Sequence, residues 1–239
     1  MLEIYMTPLH PNMNTIHVEN LLGRLPEQRQ ARIRKFTHQE DAHRSIVAEA
    51  LSRWLICNQL GIMNHDLQIV RNSHGKPMVQ GLSNLYFNNS HSDQWIVCAI
   101  SDAPIGIDIE KISDIDLRIA EHFFSEQELL DLNTLQPEAR VSYFFELWTL
   151  KESYIKAEGR GLSLPLSSFT IRKQENHIGL HTDIRFTSCF FKQYSPDPLY
   201  KMAVCSQTPN FPEQPLTIEF PELYQRFMSV ATTSTRVLE

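Results

Sequence analysis

The segment Ile105-Gly106-Ile107-Asp108-Ile109-Glu110 alternates with the period of a β-strand. Three isoleucines share one face, and Gly106, Asp108 and Glu110 share the other. Two carboxylates placed this way lie about 7 Å apart at Cα, where like charges repel unless something positive sits between them. Taken alone, the segment fits a solvated strand face equally well. A third carboxylate shifts the balance. Further along, Val141, Phe144, Phe145, Trp148 and Ile155 follow helical spacing, and Glu152 continues their stripe. A carboxylate on a core-facing stripe needs a partner. Lys156 could serve as an i,i+4 ion pair, or a divalent cation could be shared with Asp108 and Glu110. All-oxygen ligands suit Mg²⁺, which usually bridges to a substrate phosphate; Mn²⁺ takes the same ligands. Lys151 and Lys156 would then flank the phosphates as cations.

Other segments add polar groups that would complement phosphate. Gly75-Lys76-Pro77 is a rigid turn presenting one lysine, and on its own it is a surface turn. Asn88-Asn89-Ser90-His91-Ser92 reads as a polar corner between two strands, offering small donors and an imidazole. Arg44 falls near the start of a helix, where the dipole favours an anion. His38, Glu40, Asp41 and His43 are read as capping residues and a solvated face. No glycine-rich P-loop or Rossmann fingerprint is present, which excludes an ordinary kinase or NTPase.

These groups must be positioned by alternating strands and helices. The first strand is expected at 3–6, and Pro26 opens a basic helical stretch to about Phe36. Thr37 and Glu40 form a capping-box pattern before a helix that runs to Leu60 and stops at Gly61. Strands are expected at 66–72, 85–88, 95–101 and 105–109. Ser125 and Glu128 repeat the capping box, and Pro137 opens a helix to about Ala157 that ends in Gly159-Arg160-Gly161. Further strands are expected at 169–173, 179–180, 188–194 and 199–205. The segment Trp95–Ser101 echoes Tyr200–Ser206, and a long helix precedes each half's strands, so a tandem duplication is one explanation. The expected organisation is an N-terminal half 1–103, a C-terminal half 104–210 and a Pro-rich tail 211–239. Val237-Leu238-Glu239 reads as an expression-vector remnant.

With 28 acidic residues against 22 lysines and arginines, the 239-residue chain carries a net charge of −6. A protein that grips a long polyanion shows a basic excess instead, so no nucleic-acid partner is expected. The short clusters at 24–35 and 151–160 suit one phosphorylated molecule. Four scattered cysteines, with neither a signal sequence nor an 18-residue apolar stretch, point to a reducing cytoplasm and no membrane contact.

Taken in order, these segments resemble the 4′-phosphopantetheinyl transferases of the long, surfactin-synthetase-activating type. The residues that carry the resemblance are Glu40-Asp41-Ala42-His43-Arg44, Gly75-Lys76-Pro77, Phe87 to Ser92, Gly106 to Lys111, Phe123-Phe124-Ser125 and Trp148 to Gly159, extended by Gly161 to Pro165. The resemblance spans roughly residues 1 to 220. It implies a mixed α/β (α+β) fold of two similar halves packed as a pseudo-two-fold dimer, with the site at their junction, complete in a monomer. It also implies the reaction: coenzyme A donates phosphopantetheine to a serine hydroxyl of an apo peptidyl or acyl carrier protein, and adenosine 3′,5′-bisphosphate is released. Such carriers belong to peptide and polyketide synthetases. By the same resemblance, Asp108, Glu110 and Glu152 are Mg²⁺ ligands. Arg44, Lys76, Ser90 and His91 contact the nucleotide and its phosphates, and Lys151 and Lys156 contact the pyrophosphate. Glu152 takes the serine proton and Lys156 assists the leaving group.

Two departures stand out. The family's basic helix carries lysines for the 3′-phosphate where this chain has Gln28-Arg29-Gln30-Ala31-Arg32, so Arg32 is the expected replacement. Asn89 replaces a usual aliphatic residue. The segment 112–133, with Phe123 and Phe124, is the expected carrier-docking region, although both phenylalanines could equally be core. A metal-dependent phosphodiesterase uses the same carboxylates and lysine, but the missing basic surface argues against it. A coenzyme- or carrier-binding module without catalysis is a third reading, and the intact carboxylates argue against that.

Overall fold

A computed structural model describes residues 1–10, 13–174, 177–182 and 188–231. Val237 to Glu239 lie outside them. In the first half, β1 (Leu2–Pro8) is followed by α1 (Thr15–Gly23), α2 (Glu27–Ile33) and the 22-residue α3 (Gln39–Leu60). Then come β2 (Ile69–Arg71), β3 (Pro77–Val79), β4 (Tyr86–Ser92) and β5 (Trp95–Ser101). The second half repeats this plan. β6 (Ile105–Lys111) leads through α4 (Ala120–Phe123) and α5 (Glu126–Thr134) to the 22-residue α6 (Pro137–Glu158). β7 (Thr170–Gln174), β8 (His177–His181), β9 (Phe190–Tyr194) and β10 (Tyr200–Ser206) follow, with β11 (Leu216–Thr217) and α7 (Phe220–Ala231) at the end.

The sheet orders are β11-β1-β5-β4 and β6-β10-β9. β5 and β10 are therefore both central and both antiparallel to their neighbours. They are the two segments whose sequences echo each other. Each half also has a long helix followed by a two-stranded hairpin, β2-β3 or β7-β8.

Period-two patterning decides how the layers stack. Ile4, Met6, Val97 and Ala99 from one sheet and Ile105, Ile107, Ile109, Met202 and Val204 from the other form one buried cluster between the sheets. The remaining faces pack on α3 and on α6. Gly106, Asp108 and Glu110 thus face α6, as the alternation requires.

Both long helices end where a left-handed glycine stops them: Gly61 at φ +65° and Gly159 at φ +88°. Ser125 and Glu128 complete the expected capping box of α5. Thr37 does not cap α3. That helix begins after His38 without a side-chain cap. Ser90 to Ser92 continue β4 and do not form a corner, because each pairs with β5. The segment after residue 210 is more than an extended tail. β11 pairs with β1, and α7 buries Phe220, Leu223 and Phe227 in the first half's core. No helix among the described residues is long and apolar enough to cross a membrane.

Candidate active site

The site is set by how closely α6 approaches β6. A methyl group at Gly106 would meet the Ser153 carbonyl oxygen at 2.0 Å and the Ala157 amide nitrogen at 2.4 Å. Only glycine permits that contact. Ser153 and Ala157 are buried against it. Glu152 and Lys156 each precede one of them, so both sit on one helix face beside Asp108.

Asp108 is 2% exposed. Its Oδ1 accepts hydrogen bonds from Lys156 Nζ at 2.7 Å and Ser90 Oγ at 2.8 Å. Its Oδ2 is buried with no hydrogen-bond partner. Glu110 accepts from Ser92 Oγ at 2.9 Å. Burial, and then the charge of Asp108, push the Glu110 carboxyl up to about 7. Burial and Asp108 also raise Glu152. Lys156 does not close the i,i+4 pair with Glu152. Its ammonium instead binds Asp108, Ser90 Oγ at 2.9 Å and the Ile107 carbonyl at 3.2 Å. Among the described residues, no lysine or arginine forms an ion pair with Glu110 or Glu152.

Of the three carboxylates only Asp108 pairs with Lys156, and its buried Oδ2 lacks a donor. Such a donor set fits a hard divalent cation. Among the described residues, no three His, Cys, Asp or Glu groups are drawn together tightly enough to cage an ion in this arrangement.

β4 supplies the opposing wall. Asn88, Ser90 and Ser92 point at β6: Asn88 Oδ1 accepts from the Ile107 amide at 2.9 Å, and Ser92 Oγ accepts from the Lys111 amide at 3.1 Å. Sequence reasoning missed Asn88 and Ser92 as positioning groups. Their i, i+2, i+4 spacing with Ser90 was the available signal. His91, on the opposite face, is held below its ordinary pKa by desolvation, with Arg44 and Lys156 adding to it.

Asn88 and Asn89 also line a cleft of about 970 Å³, together with Arg29, Arg32, Arg53 and Arg71. Glu49 ties down Arg29 at 2.9 Å and Arg53 at 3.0 Å. Burial lowers the Arg71 pKa, and Arg29 and Arg32 lower it further. Four guanidiniums around one carboxylate make this an anion-attracting wall. Arg32 falls within it with Arg29 from the same basic cluster, and Arg53 and Arg71 join them unforeseen. Asn89, in place of an aliphatic residue, donates to Ser52 Oγ at 2.8 Å.

Other expected contacts are already engaged. Lys151 is fully buried, and its ammonium binds both Glu128 oxygens at 2.6 and 2.7 Å and the Phe169 carbonyl at 2.8 Å. It ties α6 to α5 and the start of β7, and it cannot reach a pyrophosphate; that expectation is corrected. Arg44 donates to Asp41 at 2.7 Å and to the Asp93 carbonyl at 3.3 Å. Lys76 Nζ donates to the carbonyls of Ala157 at 2.9 Å and Ile105 at 3.2 Å, pinning the two halves together. That uses two of its three donors. Burial draws its pKa down to about 8. Phe124 is core, and Phe123 packs edge-on against Trp148.

Comparison with known proteins finds relatives over most of the chain. Residues 104–205 match the family model of the 4′-phosphopantetheinyl transferase superfamily. Residues 11–103 match that of the 4′-phosphopantetheinyl transferase N-terminal region. The 4′-phosphopantetheinyl transferase Sfp of Bacillus subtilis (strain 168) is 40% identical over 222 residues, covering 92% of this chain and 97% of the relative. The 4′-phosphopantetheinyl transferase gsp of Aneurinibacillus migulanus is 40% identical over 199 residues, 82% of each chain. The 4′-phosphopantetheinyl transferase ffp of Bacillus subtilis is 39% identical over 223 residues, 93% of this chain and 100% of the relative. The chain belongs to the 4′-phosphopantetheinyl transferase superfamily.

Proposed function

We propose that this transferase moves the phosphopantetheine group of coenzyme A onto a serine of an apo peptidyl or acyl carrier protein, and that Asp108, Glu110 and Glu152 hold Mg²⁺ for the step. The observation that carries this is the donor-free, buried Oδ2 of Asp108 beside two carboxylates whose pKa values are raised. Bound there, Mg²⁺ would neutralise charge on the coenzyme's pyrophosphate and on the departing phosphate.

The chain's own groups perform the remaining work. The arginine-lined cleft takes the nucleotide end, with Arg32 on the 3′-phosphate, and β4 leads from that cleft to the carboxylates. Ser90 and His91 border the pyrophosphate, and Lys156 binds both Ser90 and Asp108. The carrier's serine oxygen attacks the phosphorus that bears pantetheine, and the bond to the adenosine-side phosphate breaks. Glu152, whose raised pKa suits a general base, takes the serine proton. Lys156 stabilises adenosine 3′,5′-bisphosphate as it leaves. Both halves come from one chain, so a monomer holds a complete site. The surface across 112–133 receives the carrier, where Leu130 is exposed.

Calorimetry of coenzyme A binding tests the ligand set. In the wild type, EDTA should weaken binding by about tenfold or more, and D108N should bind weakly with or without EDTA. Wild-type binding indifferent to EDTA would overturn the assignment.

A further inference from the structure

The turn between β4 and β5 has two residues, Asp93 and Gln94, between the paired positions Ser92 and Trp95. Asp93 has φ +47°, the only positive φ at a non-glycine residue among the described residues. In a two-residue hairpin, a positive φ at the first position alone belongs to the turn that favours glycine there. An L-residue keeps such a conformation where its surroundings over-determine it.

Here they do so from three sides. Asp93 Oδ2 accepts from Lys111 Nζ at 2.6 Å and from the Tyr200 hydroxyl at 3.1 Å. Its carbonyl accepts from Arg44 at 3.3 Å. The Tyr200 oxygen in turn accepts from the Gln94 amide at 3.4 Å. Lys111 follows Glu110 on β6, and Tyr200 lies directly opposite Lys111 on β10. One side chain at the tip of a first-half hairpin thus grips the second half beside Glu110. The same hairpin carries Ser90 and Ser92, which hold Asp108 and Glu110.

We propose that Asp93 is a positioning residue: by gripping Lys111 and Tyr200 it holds Ser90 and Ser92 against Asp108 and Glu110, and so sets the carboxylate geometry that receives the divalent cation. This rests on reading those carboxylates as cation ligands. Glycine would suit the backbone better than aspartate but would release the grip. The Asp93 and Lys111 side chains are 38% and 41% exposed, so their ion pair adds little to global stability. Rate and stability should therefore part company.

The experiment compares wild type with D93G, K111M and the double variant. D93G is expected to unfold at the wild-type temperature or above, yet to transfer about tenfold more slowly at limiting Mg²⁺, with the rate restored at saturating Mg²⁺. K111M should lose a similar factor, and the double variant no more than either, because one link is removed in each case. A D93G rate within roughly twofold of wild type at limiting Mg²⁺ would overturn the proposal. So would a rate loss matched by a fall in thermal midpoint. Calorimetric titration of Mg²⁺ in the presence of coenzyme A tests the role independently of turnover. Weaker Mg²⁺ binding by D93G supports it, and equal binding contradicts it. Should the wild type transfer nothing to any carrier, the assigned reaction fails, while this titration still shows whether Asp93 shapes the cation site.

Discussion

At the scale of single residues, two acidic side chains on or against α6 play opposite parts. Glu152 faces the site half-buried and pushed toward its neutral form, so E152Q should lose transfer by about 10²–10⁴-fold. A time course near wild type would remove Glu152 from the proton's path. Glu128 is instead entirely buried. It caps α5, accepts from the Ile171 amide at 2.7 Å and neutralises Lys151. K151M would strand that carboxylate and should cost about 3–5 kcal/mol in chemical denaturation, while the folded fraction keeps its KM for coenzyme A. A raised KM with unchanged stability would return Lys151 to the phosphates. Lys151 and Lys156 have equal claims in the sequence. Their five-residue offset puts them on different helix faces, and only the fold around α6 decides which one meets the substrate.

At the scale of elements, the β6–α6 contact governs the geometry. G106A drives a methyl group into backbone, which cannot move aside as a side-chain tip would. It should destabilise the protein by about 3 kcal/mol and abolish transfer even where it remains folded. A well-folded, active G106A would show that Glu152 and Lys156 do not depend on this close approach. The period-two run 105–110 and the capped helix 137–158 were legible because their patterns are local and strong. β4 was less so: residues 90–92 are polar, and polar residues between two apolar runs read as a corner. Their strand character comes from pairing with β5 and from facing the carboxylates, both long-range facts. The arginine wall was hidden for the same reason, since α2, α3 and β2 each contribute to it.

At the scale of the whole molecule, two similar halves meet along β4 and β6, and Lys76 pins them by binding the carbonyls of Ile105 and Ala157. Its pKa is drawn down by burial to about 8 from 10.5, so the folded protein releases this proton before the unfolded chain does. Stability should accordingly rise between about pH 8 and 10.5, and K76M should flatten that slope. A slope unchanged in K76M would place its origin elsewhere. The duplicated plan was visible in the echo of β5 and β10, but the docking of α7 was not. Its prolines and polar flanks resemble a tail, and only the apolar face that it covers on the first half makes it part of that core. Deleting 216–231 should therefore expose the first half's core, giving a lower thermal midpoint and a protein that binds a hydrophobic dye; an unchanged midpoint would count against that role for α7. The central claim concerns the reaction at the junction of the halves, and intact mass spectrometry tests it most directly. An apo peptidyl carrier protein is incubated with this protein, coenzyme A and Mg²⁺, beside an EDTA control. The expected result is a mass gain of one phosphopantetheine that EDTA abolishes. A gain that persists in EDTA, or no gain on any of several peptidyl and acyl carriers, would contradict the account.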